Sequence, residues 1–245
     1  MTNAVLLSAG QGRRLAPLTD DRPKCTVEVG GRSLVEWQVR ALIANGIEDI
    51  SIVTGFRADQ VKSVLDAADL PVKVRHIYNP FYSVADNIGS CWAARDIIGS
   101  DTVLINGDTL FDPRILKKVL AEARAPINVT VDIKADGQYD SDDMKVRFTA
   151  ETLTDIGKKL TAPISGESIG MLRFTGEGGK LFGDTLEEVL QDVAALKLWY
   201  LSIIDRIAKT GQVGFVEMAG LPWAEVDFPE DLEIAAGQVS KFRFD

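Results

Sequence analysis

Short, unbroken apolar runs recur through the first half of this chain, each followed by a segment of helical spacing. Ala4-Val5-Leu6-Leu7 is the first, and a run without a polar break is how a strand buried on both faces reads. Ile50 to Thr54, Thr102 to Ile105 and Ile127 to Ile133 repeat it, with weaker strands at Thr26 to Val29 and Val72 to Ile77. Helical stretches alternate with them. Ser33 and Glu36 form a capping box that opens a helix with Leu34, Trp37, Ala41 and Leu42 on one face, stopping near Asn45-Gly46. Ala58 to Ala68, Ser90 to Ile98 and Pro113 to Ala123 follow, the last with Pro where its missing N–H is harmless. This alternation restricts the fold to α/β with a mainly parallel sheet.

After Ile133 the rhythm changes. Ala135 to Met144 is an acidic loop; Lys145 to Thr149 with Leu153 to Ile156 reads as a hairpin, and Ser168 to Phe174 as a strand. Helices are expected at Gly179 to Asp192, Trp199 to Lys209 and Pro229 to Ala236, and strands at Gly214 to Met218 and Ala224 to Val226. No linker, repeat or low-complexity tract divides the chain. Residues 1–245 therefore read as one domain with two halves, 1–133 and an elaborated 134–245, and 46% hydrophobic residues supply a sizeable core.

Lys and Arg number 27 against 36 Asp and Glu, a net charge of −9, which argues against a broad nucleic-acid footprint. Cys25 and Cys91 lack the spacing of a disulfide scaffold or a zinc site, and His76 alone cannot build a mechanism that needs two imidazoles. No stretch resembles a signal peptide or approaches the roughly 20 apolar residues of a membrane helix, so a cytoplasmic location is expected.

One segment concentrates chemistry. Ser8 to Lys24 is too broken for a helix and too long for an ordinary connection. It leaves the end of a buried strand through small residues, where backbone N–H groups can crowd round an anion, and Gly10 and Gly12 remove side chains that would block the approach. Arg13, Arg14, Arg22 and Lys24 then put four cations in twelve residues of an acidic protein. Polyphosphate suits such a loop, because charge-assisted and bidentate contacts fit phosphate oxygens. A P-loop motif is absent. A dinucleotide fingerprint fails at Leu15, where it needs Gly, and at Pro17, where it needs helix.

The stretch from Ala9 to Lys24 resembles the signature of the sugar-1-phosphate-type nucleotidyltransferases at every fixed position. The chain is most similar to their bacterial phosphocholine cytidylyltransferase branch through Pro23-Lys24-Cys25, Asn79, Tyr82, Asn87, Ser90, Gly107-Asp108, Gly166 to Gly170 and Glu225-Val226-Asp227. The resemblance implies a Rossmann-like fold with a mainly parallel, mixed sheet. It implies that Arg14 and Lys24 are catalytic and that Ala9, Gly10, Gly12, Arg13, Asn79, Asn87 and Ser90 bind the nucleotide. The acceptor would meet Lys158 at its phosphate and Glu167 at its organic end, with Lys145 and Lys159 as further candidates for the phosphate. Asp108 and Asp227, each at a strand end, would hold Mg²⁺ through hard oxygen donors.

The reaction implied moves a nucleoside monophosphate, CMP from CTP, onto a small phosphorylated or phosphonate acceptor such as phosphocholine, releasing pyrophosphate. A sugar-1-phosphate uridylyl- or guanylyltransferase uses the same catalytic residues, and a nucleotide-sensing module without turnover shares the fold. Trp92, Trp199, Tyr200 and Trp223 are the aromatic candidates for a cage round a quaternary ammonium. Leu201 stands where choline-handling relatives carry an acid, and the acidic loop is the alternative source of negative charge.

Overall fold

The computed structural model describes residues 1–244. In chain order the elements are β1 (Asn3–Ser8), β2 (Glu28–Val29), β3 (Arg32–Ser33), α1 (Leu34–Ala44), β4 (Asp49–Thr54), α2 (Ala58–Ala67), β5 (Arg75–Tyr78) and α3 (Asn87–Ala94). Then come β6 (Asp101–Asn106), β7 (Thr109–Phe111), α4 (Pro113–Glu122), β8 (Ile127–Asp132), β9 (Lys145–Thr149), β10 (Thr152–Ile156) and β11 (Gly166–Thr175). The chain closes with α5 (Gly178–Val189), α6 (Leu201–Ala208), β12 (Val213–Glu217), β13 (Trp223–Glu225) and α7 (Asp231–Val239).

Among the described residues nine strands form one sheet in the order β5-β4-β1-β6-β11-β8-β12-β10-β9. β1 pairs in parallel with both β4 and β6, and β4 with β5. Ala4 and Leu6 enter the core on one face, Val5 and Leu7 that on the other, which is why the run carries no polar break. Helices α1, α2 and α4 cover the first face, and α3, α5 and α6 the second. This is the mixed, Rossmann-like α/β sheet expected.

Across the sheet from β5, the first departure from parallel order is β11, which runs antiparallel to β6 and to β8. Its register against β8 slips between Ser168 and Leu172, and Gly170 there has φ +74°, the left-handed region that glycine enters without penalty. A Cβ on Gly170 would stand 2.5 Å from Asn106 Nδ2. Beyond this bend the first residues of β11 pair with β9, so β11, β8, β12, β10 and β9 close into a ring.

Several boundaries differ from expectation. Strand β2 is shorter than Thr26 to Val29 because Lys24–Thr26 turns as a 3-10 helix. The strand read at Val72 to Ile77 forms only from Arg75. α3 starts at Asn87 rather than Ser90, since the Asp86 side chain accepts from Asn87 N at 2.7 Å and caps it. α6 starts at Leu201, after a 3-10 turn over Val193–Lys197. No described helix is long and apolar enough to cross a membrane.

Candidate active site

The carboxyl ends of β1 and β6 open on a cavity of about 370 Å³. In a parallel sheet these ends leave backbone and side chains facing the crevice above. The loop after β1 crosses this mouth. Gly12 turns it with φ +77°, and a Cβ there would lie 2.6 Å from Lys24 Cβ, so a bare Gly12 lets the Lys24 stem pass. Thr19 Oγ1 donates to Gly12 O at 2.7 Å and pins the turn. Leu15 is buried in a third apolar cluster with Leu110, Val226 and Ala235, which fixes the backbone beside Arg14. At Gly10 a Cβ would meet nothing, and the residue lines the cavity.

Opposite charges alternate along the cavity. Lys24 Nζ lies 2.7 Å from Asp108 Oδ2 and pairs also with Asp227 Oδ1. Asp227 Oδ2 accepts from Arg14 at 2.6 Å. The other guanidinium nitrogen reaches Asp142 Oδ2 at 3.1 Å, and Asp142 Oδ1 accepts from Lys158 Nζ at 2.9 Å. Lys158 Nζ in turn sits 4.9 Å above the Trp199 ring. Burial alone would lower the Lys24 pKa, but Asp108 and Asp227 outweigh it and raise the ammonium above its ordinary value.

Asp108, Asp227 and Glu225 each offer an oxygen within 4.8 Å of the others. Partial desolvation at the cavity mouth, with Asp108 and Asp227 beside it, raises the Glu225 carboxyl above its ordinary value. Asp108 Oδ1 is buried without a hydrogen-bond partner. Three hard oxygen donors and an orphaned carboxylate oxygen fit a divalent cation of the Mg²⁺ type. The sequence motif alone points to Asp227 and not to Glu225, although the two stand two apart at the end of a strand, the spacing that puts side chains on one face.

The residues expected for the nucleotide divide. Ala9, Gly10, Gly12, Asn79, Asn87 and Ser90 all line the cavity, as does Tyr82. Asn79 is buried with both ends of its amide engaged: Nδ2 donates to Ser90 Oγ at 3.1 Å and Oδ1 accepts from Phe81 N at 2.8 Å. Asn87 Oδ1 accepts from Tyr200 N at 2.8 Å. Arg13 is turned away, with Nε donating to Gln11.

On the acceptor side, Lys158 is in the cavity and Glu167 is not; its neighbours Ser168 and Gly170 are. Glu167 is buried beside Lys134, 3.2 Å away, and Asp143. Burial, followed by Asp143, pushes its carboxyl up to about 8. Lys145 is buried too, and its Nζ donates to Lys158 O at 3.1 Å, a tether for the backbone that carries Lys158. Of the aromatic candidates only Trp199 lines the cavity, with Leu201 beside it. Tyr200 is fully buried, Trp223 donates to Asp132 at 3.0 Å, and Trp92 lies under Arg95. Asp86 lines the wall near Trp199, and burial raises its pKa above the ordinary carboxylate value. Its capping role in the sequence conceals that position. His76 sits on the edge strand β5.

Residues 3–140 match the family model for nucleotidyl transferases. The chain is 27% identical over 256 residues to a CTP:phosphoglutamine cytidylyltransferase from Campylobacter jejuni, covering 95% of this chain and 98% of that one. It is also 27% identical over 240 residues to a CMP-5'-(3-aminopropyl)phosphonate synthase from Streptomyces rubellomurinus, where it covers 93% of its own length but 37% of the larger protein. In fold it is similar to the inositol-1-phosphate CTP transferase from T. maritima, with a TM-score of 0.82 and 24% identity, over 98% of this chain and 96% of that one.

Proposed function

The chain belongs to the nucleotidyl transferase family, and from that premise we propose that it moves CMP from CTP onto a small phosphate monoester or phosphonate, phosphocholine among them. The observation that carries this reading is the line of cations Lys24, Arg14 and Lys158 in one cavity with three carboxylates. Its similarity to proteins named for CTP and for phosphorylated or phosphonate acceptors favours cytosine and the acceptor class.

A phosphate monoester has a second pKa near 6, so at pH 7 its oxygen arrives ionised and no general base is needed. That oxygen attacks the α-phosphorus in line. A new P–O bond forms as the bond to the bridging oxygen breaks, and pyrophosphate leaves with the electron pair. The protein's work is positioning and charge neutralisation. Arg14 takes the β- and γ-phosphates, and Lys24 leans on the α-phosphate as charge builds. Lys158 orients the acceptor phosphate. The backbone at Ala9 and Gly10, with Asn87 and Ser90, reads the base, and Asn79 holds Ser90 in place. Asp108, Asp227 and Glu225 are the residues that would hold Mg²⁺, whose chemistry here is neutralisation of phosphate charge.

The test is pyrophosphate release from each of CTP, UTP, GTP and ATP against phosphocholine, aminoethyl phosphonate and several sugar-1-phosphates. CTP with a phosphonate or alcohol phosphate is the expected pair. Equal or better use of UTP or GTP with a sugar-1-phosphate would move the protein to the sugar-nucleotide side. No turnover with any pair would make it a nucleotide sensor.

A further inference from the structure

The acidic loop between β8 and β9 sets a single carboxylate between two cations that serve different substrates. Asp142 Oδ2 is 3.1 Å from the Arg14 guanidinium, and Oδ1 is 2.9 Å from Lys158 Nζ. The arrangement is built from beneath. Lys134 Nζ lies 2.8 Å from Asp143 and 3.2 Å from Glu167, and Asp143 Oδ2 also accepts from Asp140 N at 2.8 Å. The buried Lys145 ammonium donates to Asp143 O at 3.4 Å and to Lys158 O at 3.1 Å. One ammonium therefore fixes the backbone on both sides of the Asp142–Lys158 pair. Arg14 is held from its far side by Asp227 and lies 5.0 Å over the Phe228 ring.

We propose that Asp142 couples the two substrates, because displacing its carboxylate from Arg14 and Lys158 is a cost shared by the triphosphate and the acceptor phosphate. The inference rests on reading those two side chains as the phosphate-binding cations of the proposed reaction. A phosphate oxygen and a carboxylate oxygen compete for the same guanidinium or ammonium hydrogens. Whichever substrate arrives first works against Asp142 and lowers its own apparent affinity by the fraction of time the cations are free. The second then meets cations already released, so each substrate strengthens binding of the other by the same factor. The Asp142 side chain is 53% exposed, so its return to water is easy and the factor is modest. An Asp at this place thus works against occupation of the site by one anion alone and favours the filled pair.

The experiment uses the full chain and two simple probes, pyrophosphate for the Arg14 end and methylphosphonate for the Lys158 end. Calorimetry is run with a metal chelator present, so that only the chain's own cations are read. Asp142→Asn should bind each probe roughly three- to tenfold tighter than the unaltered protein. The factor by which saturating pyrophosphate tightens methylphosphonate should be about three- to tenfold larger in the unaltered protein than in Asp142→Asn. Equal coupling in both proteins, or weaker binding of either probe to Asp142→Asn, overturns the proposal. Failure of both proteins to bind pyrophosphate overturns it together with the phosphate-cation reading. Neither probe contains a base or an acceptor's organic end, so an error about CTP or phosphocholine would leave these outcomes unchanged.

Discussion

Glu167→Gln should stabilise the protein, and by an amount that depends on pH. Glu167 is buried in β11, 4% exposed, with Asp143 and Lys134 against it. Lys134 has two carboxylates beside it, and Asp143 is the one that holds its charge. Burial would raise the Asp143 pKa, but hydrogen bonds from Glu167 and Lys134 outweigh it and hold it below the ordinary range. Glu167 is the member that keeps its proton, up to about 8 against an ordinary 4.5. Between these two values the native chain binds a proton that the unfolded chain has released. Native stability therefore falls by about 1.4 kcal/mol for each pH unit over that window and is flat above it. A glutamine amide can offer Asp143 an N–H in place of the carboxyl O–H, without the titration. The variant should match the unaltered protein closely at pH 5, exceed it by about 3 kcal/mol at pH 7, and gain little more beyond pH 8. Urea unfolding at pH 5, 6, 7, 8 and 9 measures this. A difference between the two proteins that stays constant across that series would refute a protonated Glu167.

Lys24→Ala should keep the native circular dichroism spectrum while kcat falls on the order of 10²–10³, the usual loss when a transition-state donor is removed; near-normal turnover would remove Lys24 from the mechanism. Asp108 and Asp227 hold the same ammonium and belong to one oxygen cluster, so Asp108→Asn and Asp227→Asn should each abolish most activity. The double variant should be little worse than either, and multiplying losses would show that the two act independently. Gly170→Ala adds a Cβ at φ +74° and 2.5 Å from Asn106, which combines left-handed strain with overpacking. A cost of about 2–5 kcal/mol is expected, read as a drop in Tm, and an unchanged Tm would mean that β11 bends without needing glycine.

Local signals in the chain carried much of this far. The apolar runs that became β1, β4, β6 and β8 are legible because a strand buried on both faces leaves no room for polar residues. The signature loop, Asp108, Asp227 and Lys158 were legible by motif and order, and the fold brings all of them to one cavity. What escaped depends on partners distant in sequence. A strand's pattern is the same in either direction, so nothing in Ser168 to Phe174 announced that β11 runs against its neighbours. Glu167 and Ser168 are adjacent and point to opposite faces; choosing between them needs the register with β8 and β9. Asn79 reads as a polar group free for a ligand until its amide is found engaged by Ser90 and Phe81. Asp142 looks like one solvated charge among several, and only the fold brings it to Arg14, 128 positions earlier.

β11 lies on both sides of the cavity's division of labour. Its last five residues pair with β6 in the open sheet, its first two pair with β9 in the closed ring, and β8 runs along both stretches. The walls assigned to the triphosphate and the acceptor in the proposed reaction thus share a single continuous ribbon of backbone. A clamshell motion, in which two bodies swing together about a hinge, would have to tear that ribbon from one neighbour or the other. Two loops border the cavity without belonging to that ribbon: the loop after β1 and the acidic loop that ends at Met144. Engineering a faster enzyme on this scaffold would therefore begin with the length and charge of those two loops, and leave the strand that joins the walls alone.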